Sequence, residues 1–251
     1  MPTSDGSTPP GARDGELPQQ IPSSVANLER ELKFSLPSSR VSVIRSLLYS
    51  LCQPDRTYPP GRIVTVYFDD AELECLEEKI NSDYRKTKIR ARWYQHMNGR
   101  IEGAVFVECK RRVGSRRTKL RVRSALPAAE VAEWPLERLN WSSVLDGLRA
   151  AGVGVACELQ PVLRLSYLRE RFTDVFGGGR LSLDTDIRVE AVNPRRLRPG
   201  LLGPTAVAVL EYKGQAAELP AHLHLLVRAG ARKVSYSKYF GASQHVRQEV
   251  F

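Results

Sequence analysis

Lysine and arginine recur at alternate positions in several stretches of this chain. Lys88, Arg90 and Arg92 are spaced two apart, as are Lys119, Arg121 and Arg123. In a β-strand, residues i, i+2 and i+4 lie on one face, so each set presents its cations together. The same spacing mixes signs in Glu29, Glu31 and Lys33, in Glu108, Lys110 and Arg112, in Arg180, Ser182, Asp184 and Asp186, and in Glu211 and Lys213. The opposite faces are apolar, with Ile89, Ala91 and Trp93 behind the first set and Leu120 and Val122 behind the second. Guanidinium forks match phosphate oxygens, and ammonium groups supply compact point charge. Carboxylates on the same faces offer hard oxygen ligands for a divalent metal. These residue types point to the binding of a polyanion.

Any antiparallel strand with one wet face shows such alternation. Two features separate this chain from that case. Arg and Lys dominate the charged faces of the three central sets, at Lys88–Arg92, Glu108–Arg112 and Lys119–Arg123, whereas a solvated surface mixes signs. The intervening helical stretches also carry apolar stripes that must pack on the apolar faces of the strands. With helices outside, the charged faces turn toward one another.

The elements that position these residues follow from periodicity. Strands are predicted over Leu28–Leu36, Arg62–Phe68, Thr87–Gln95, Gly103–Arg112, Lys119–Ser124, Leu159–Arg171, Arg180–Val192 and Thr205–Lys213. Helices are predicted over Arg40–Cys52, Ala71–Asn81, Ala128–Trp134, Ser142–Ala151 and Pro220–Ala229, and Gly177–Gly179 predicts a hairpin turn. The expectation is an α+β fold: an eight-stranded antiparallel sheet closed into a tunnel, with helices packed outside. Residues 1–26 are rich in Pro, Ser, Gly and Gln and are expected to form a disordered tail, leaving 27–251 as one folded domain.

The length of 251 residues suits such a domain, and the 38 Lys and Arg against 28 Asp and Glu leave a net charge of +10. A charge of that sign fits an anionic partner without naming one. A hydrophobic content of 42% excludes wholesale disorder. No apolar run approaches the roughly 18 residues of a transmembrane helix. Cys52, Cys75, Cys109 and Cys157 form no CxxC pair, so they are read as buried thiols in a reducing, cytoplasmic setting. No Walker motif is present, because the glycines at Gly177–Gly179 run into Arg180. A phosphate site here must be built from side chains.

Several segments carry a family resemblance. ELKF at Glu31–Phe34, preceded by Glu29, resembles the ExExK signature of the triphosphate tunnel metalloenzymes. The stretch Val66–Tyr94 is similar to the corresponding part of the VTC domain, the polyphosphate polymerase branch of that superfamily. FVECKRR at Phe106–Arg112, PVLRLSYLR at Pro161–Arg169, RLSLDTDIR at Arg180–Arg188, AVLEYK at Ala208–Lys213 and SYSKYFGA at Ser235–Ala242 agree in order. The resemblance implies a tunnel in which the γ-phosphate of ATP passes to a growing polyphosphate chain with Mn2+ or Mg2+. It implies that Lys33, Arg90, Arg92, Lys110, Arg164, Arg180 and Lys238 are catalytic and hold phosphates, with Ser237 beside them. Glu211 would be the main metal ligand, helped by Glu29, Glu31 and Glu108.

Other residues have plainer readings. The basic run of Arg112, Arg116, Arg117 and Lys119 reads as a solvated hairpin, and Trp93, Trp134 and Trp141 as core anchors. His222 and His224 are two apart on a helix and face different ways, and His96 and His245 read as surface residues. Asp184 and Asp186 read equally as metal ligands or as partners of tunnel arginines. An inorganic triphosphatase and a non-catalytic polyphosphate or inositol-phosphate binder compete with the polymerase. Nucleic-acid binding ranks last, because the basic residues are not interleaved with stacking aromatics on an open face.

Overall fold

A computed structural model of the protein describes residues 30–155 and 158–247. Glu29 and the N-terminal tail lie outside the described residues, as does Cys157. The strands are β1 (Arg30–Pro37), β2 (Gln53–Pro54), β3 (Gly61–Asp69), β4 (Arg85–Gln95), β5 (Ile101–Val113), β6 (Arg116–Pro127), β7 (Gln160–Thr173), β8 (Arg180–Val192), β9 (Gly203–Pro204), β10 (Val207–Gly214) and β11 (Arg232–Lys233). The helices are α1 (Val41–Leu51), α2 (Glu74–Ile80), α3 (Ala128–Ala132), α4 (Trp141–Val144), α5 (Asp146–Ala150), α6 (His224–Arg228) and α7 (Lys238–Arg247). Each of the eight long predicted strands is found, displaced by a few residues at its ends. The helix predicted over Ser142–Ala151 is two short helices, and α7 was not predicted.

The strands form one antiparallel sheet ordered β11-β1-β10-β8-β7-β3-β4-β5-β6, with β2 on β7 and β9 on β8. This corrects the expected architecture: the sheet has eleven strands and is not closed. Closure would need β6 to pair with β1. The outer edge of β1 instead pairs with β11 at Phe34 and Ser35, and Val234 N donates to Lys33 O. The short segment leading into α7 thus takes the hydrogen bonds that a closing strand would require.

Three apolar clusters support the sheet. Outside it, α3, α4 and α5 cover Val64, Val66, Ile89, Ala91, Trp93, Val105 and Val107, with Trp134 and Trp141 in the same cluster. Also outside, α1 and α6 cover Leu32, Phe34, Leu181, Leu183, Leu210 and Tyr212. The third cluster joins Tyr67, Leu163, Leu165, Tyr167 and Val209 to Tyr239, Ala242 and Val246 of α7. The concave side is therefore shared between apolar packing on α7 and the charged residues described below.

On β8 the alternation slips where Asp186 adopts a left-handed φ of 45°. Leu181 and Leu183 pack outside before this point, whereas Ile187 and Val189 join the α7 cluster after it. A single irregular residue re-aims a strand in this way.

Candidate functional site

The concave face of the sheet encloses a cavity of about 1720 Å³. The alternation on β4 holds: Lys86, Lys88, Arg90 and Arg92 line the cavity, while Ile89, Ala91 and Trp93 are buried on the other side. On β5, Glu108, Lys110 and Arg112 line it, and on β6, Arg117, Lys119, Arg121 and Arg123 do so. Glu31 and Lys33 of β1, Arg180 of β8 and Glu211 and Lys213 of β10 complete the wall, with Ser237 and Lys238 entering from the start of α7. Lys33, Arg90, Arg92, Lys110, Arg180, Ser237, Lys238, Glu31, Glu108 and Glu211 thus share one cavity.

Arg164 is a correction. Its guanidinium donates to the carbonyls of Ala132 at 2.9 Å and Trp134 at 2.5 Å, and sits 5.7 Å from the Trp93 ring centre. It therefore faces the outer helices. Leu163, Leu165 and Tyr167 take the concave side, so the cavity arginines of β7 are Arg169 and Arg171. Counting in twos from Arg169 through the segment Pro161–Arg169 exposes the mismatch, because Arg164 has the wrong parity. Lys88, Arg169, Arg171 and Tyr167 are cavity residues that sequence reasoning left out of the site. The basic hairpin is solvated as read, with Arg112, Arg116, Arg117 and Lys119 all exposed, but it also borders the cavity through Arg112, Arg117 and Lys119, and Lys119 reaches Glu108 at 3.0 Å.

One side of the cavity is internally neutralised. Arg169 meets Asp184 with Nε–Oδ1 at 2.5 Å and Nη2–Oδ2 at 2.6 Å, and lies 3.6 Å from Glu211. Lys238 Nζ is 2.5 Å from Asp184 Oδ2 and 3.3 Å from Glu211 Oε1. Burial opposes charge on Glu211, yet Lys238, Arg169 and Lys33 hold its carboxyl well below the usual range. The same opposition, with Asp184 and Glu211 prevailing, raises the pKa of Lys238. Asp184 is therefore a structural counter-ion, and Asp186 pairs with Arg62 at 2.6 Å and Arg188 at 3.0 Å.

Glu108 sits among cations, with Arg90 Nε at 2.8 Å, Lys119 at 3.0 Å, Arg121 at 3.8 Å and Arg92 at 4.0 Å. Burial would raise its pKa, but Arg90, Arg92 and Lys119 outweigh it and keep the carboxylate ionised. Cations thus occupy the Glu108 carboxylate, as Lys33, Arg169 and Lys238 occupy that of Glu211. Among the described residues, no three His, Cys, Asp or Glu side chains gather to hold a metal. Glu211 remains on the cavity wall, and Glu31 and Glu211 each lie 3.8 Å from Lys33.

On the facing side Glu108 compensates its neighbours, but Lys88 and Lys110 have no such close partner. Lys88 donates to Ser237 Oγ at 2.8 Å, and burial followed by Lys33, Lys79 and Arg90 pulls its pKa down to about 8. Lys110 is pulled down to about 7 by burial and Arg90, although Glu31 and Glu108 oppose this. Neither lysine has a carboxylate within 4 Å among the described residues. A cavity wall of this kind is set up to take an anion, because an incoming negative charge restores the protonated form that burial disfavours.

Tyr239 carries the start of α7 into place. Its ring stacks on Tyr67 with centroids 4.8 Å apart, and its hydroxyl donates to Asp69 Oδ2 at 2.8 Å. Asp69 also accepts from the backbone N–H groups of Cys75 and Leu76 at the start of α2.

Comparison with known proteins places these features in context. No curated protein matches the chain. Its fold is similar to that of the PH1819 protein from Pyrococcus horikoshii OT3, at 14% identity and a TM-score of 0.47, covering 86% of this chain and 99% of that one. It is also similar to HpAC1 from Hippeastrum, assigned as an adenylyl cyclase and described as having a dominant triphosphatase activity, at 17% identity and a TM-score of 0.49, covering 86% and 95%. A Bacillus halodurans protein assigned as an adenylate cyclase is similar at 16% identity and a TM-score of 0.44, covering 80% and 84%. No helix among the described residues is long and apolar enough to cross a membrane. The VTC domain family matches residues 21–246, which takes in every wall of the cavity, and the chain belongs to that family.

Proposed function

We propose that this protein is a metal-dependent phosphotransferase that binds ATP in the cavity and passes its γ-phosphate to a polyphosphate chain. The observation that carries this reading is the pair Lys88 and Lys110: half-buried cations with depressed pKa values, facing the cavity and lacking carboxylate partners within 4 Å among the described residues. A linear polyphosphate, dense in charge and without side groups, suits that space. The cationic wall extends past these two lysines through Lys86, Arg112 and Arg117, which favours a chain longer than a triphosphate over simple hydrolysis.

In this reading Lys33, Lys88, Arg90, Arg92, Lys110 and Arg180 hold phosphate oxygens, while Ser237 and Lys238 orient the group being transferred. A terminal oxygen of the acceptor chain attacks the γ-phosphorus, the bond to the β–γ bridging oxygen breaks, and ADP leaves. Positioning and charge stabilisation supply most of the rate in such transfers. Glu211, with Glu31 nearby, fits a Mn2+ or Mg2+ ion in the way these cations are held beside nucleotides, by one or two carboxylates with phosphate oxygens completing the shell. Such an ion would neutralise charge developing on the leaving oxygen. Cys52, Cys75 and Cys109 are free and buried, which supports a reducing, cytoplasmic setting.

The test is incubation with ATP and Mn2+, with the products sized on a gel. Long polyphosphate is the expected product. Orthophosphate alone would make the protein a triphosphatase, and tight polyphosphate binding without ATP consumption would make it a binder.

A further inference from the structure

The two ends of the cavity differ in chemistry. At one end, Lys86 pairs with Arg112 and Arg112 with Arg117, giving an almost purely cationic opening. At the other end, Tyr94 and Phe106 line the wall with ring centroids 6.1 Å apart. The Arg121 guanidinium lies 3.9 Å from the Phe106 ring centre, and its Nη2 donates to Tyr94 Oη at 3.0 Å. Tyr58 stands on the same rim, 60% exposed, with the Arg171 guanidinium 5.4 Å from its ring centre. Tyr94 and Lys86 are separated along β4 by eight residues, or about 26 Å of extended chain.

We propose that the rim formed by Tyr58, Tyr94, Phe106 and Arg121 is a nucleoside site, so that ATP binds with its base there and its terminal phosphate directed toward Lys88 and Lys110. This rests on the proposed function and fixes the polarity of the substrate within the cavity. Bases bind by stacking on aromatic rings and guanidinium planes, and this rim supplies both surfaces within the lining of the cavity, whereas exposed Tyr84 at the other end packs on Gly114 outside that lining. The exposure of Tyr58 has no explanation in core packing, whereas a flat ring at an opening is suited to receive a base. A bare polyphosphate has no use for these rings. At the opposite end the cavity lining is Lys86, Arg112 and Arg117, which suits the acceptor chain.

The experiment is titration calorimetry of the full chain with ATP and with inorganic tripolyphosphate, using wild type, Tyr58→Ala and Phe106→Ala. The expected result is an ATP affinity weakened about tenfold by each substitution, with tripolyphosphate affinity held within about twofold. Because Tyr58 is exposed, its variant is expected to fold as the wild type does, and thermal melting checks both. Equal weakening of both ligands, or no change in either, overturns the nucleoside site. Failure of the wild type to bind tripolyphosphate overturns the parent reading, and this one with it.

Discussion

Arg169 and Asp184 face each other fork to fork, at 2.5 and 2.6 Å, with the Asp184 side chain fully buried. The same carboxylate takes the ammonium of Lys238. Removing one member of a buried ion pair strands the other, at a cost of about 3–5 kcal/mol. Asp184→Asn is therefore expected to destabilise the protein by about that amount, read as a lower denaturation midpoint in urea.

Lys110→Ala and Arg164→Ala separate cavity from scaffold. Loss of Lys110 is expected to weaken tripolyphosphate binding at least tenfold. Arg164→Ala should leave that affinity within about twofold while lowering the melting temperature, because it frees two carbonyls that the guanidinium satisfies. Calorimetry and thermal melting on the same samples check both halves.

Binding should depend on pH in a set direction. With pKa values of about 8 and about 7, Lys88 and Lys110 lose protons from the free protein as pH rises through that range. A bound polyanion favours the protonated forms, so affinity is expected to fall from pH 7 to pH 9, with net proton uptake on binding. Titrations in buffers of different ionisation enthalpy measure that uptake. For the ligand-free fold the sign reverses: an unfolded lysine holds its proton to about pH 10.4, so the unfolded state binds more protons and stability rises with pH across this window.

Glu211→Gln distinguishes metal chemistry from anion binding. The substitution releases Lys33, Arg169 and Lys238 from their carboxylate partner. Tripolyphosphate affinity in EDTA is expected to hold or rise, while Mn2+-dependent ATP consumption should fall at least a hundredfold. Undiminished turnover would remove Glu211 from the metal site.

Tyr239→Phe tests how α7 is held. Losing its hydroxyl leaves Asp69 with one donor fewer inside the core, at about 1–3 kcal/mol. Urea unfolding measures that loss.

Alternation by itself determined which side chains of β4, β5 and β6 share a face, because strand parity is a local property of extended chain. Lys88, Arg90 and Arg92 could be grouped from spacing alone, and the excess of cations over carboxylates already called for an anion. Parity fails once a strand is irregular, as Asp186 shows by marking a change of face on β8; Arg164 entered the site through the family resemblance, although its parity is opposite to that of Arg169. The helix α7 escaped prediction because its apolar residues form only a weak stripe; its burial depends on strands distant in the chain. Tertiary structure alone decided three things: that β11 occupies the edge of β1 and leaves the sheet open, that Glu108 is surrounded by cations instead of joining Glu211, and that Asp184 neutralises Arg169 and Lys238. Each depends on which charges meet across strands far apart in sequence, and Coulomb interactions follow distance in space, to which the order of residues along the chain is blind.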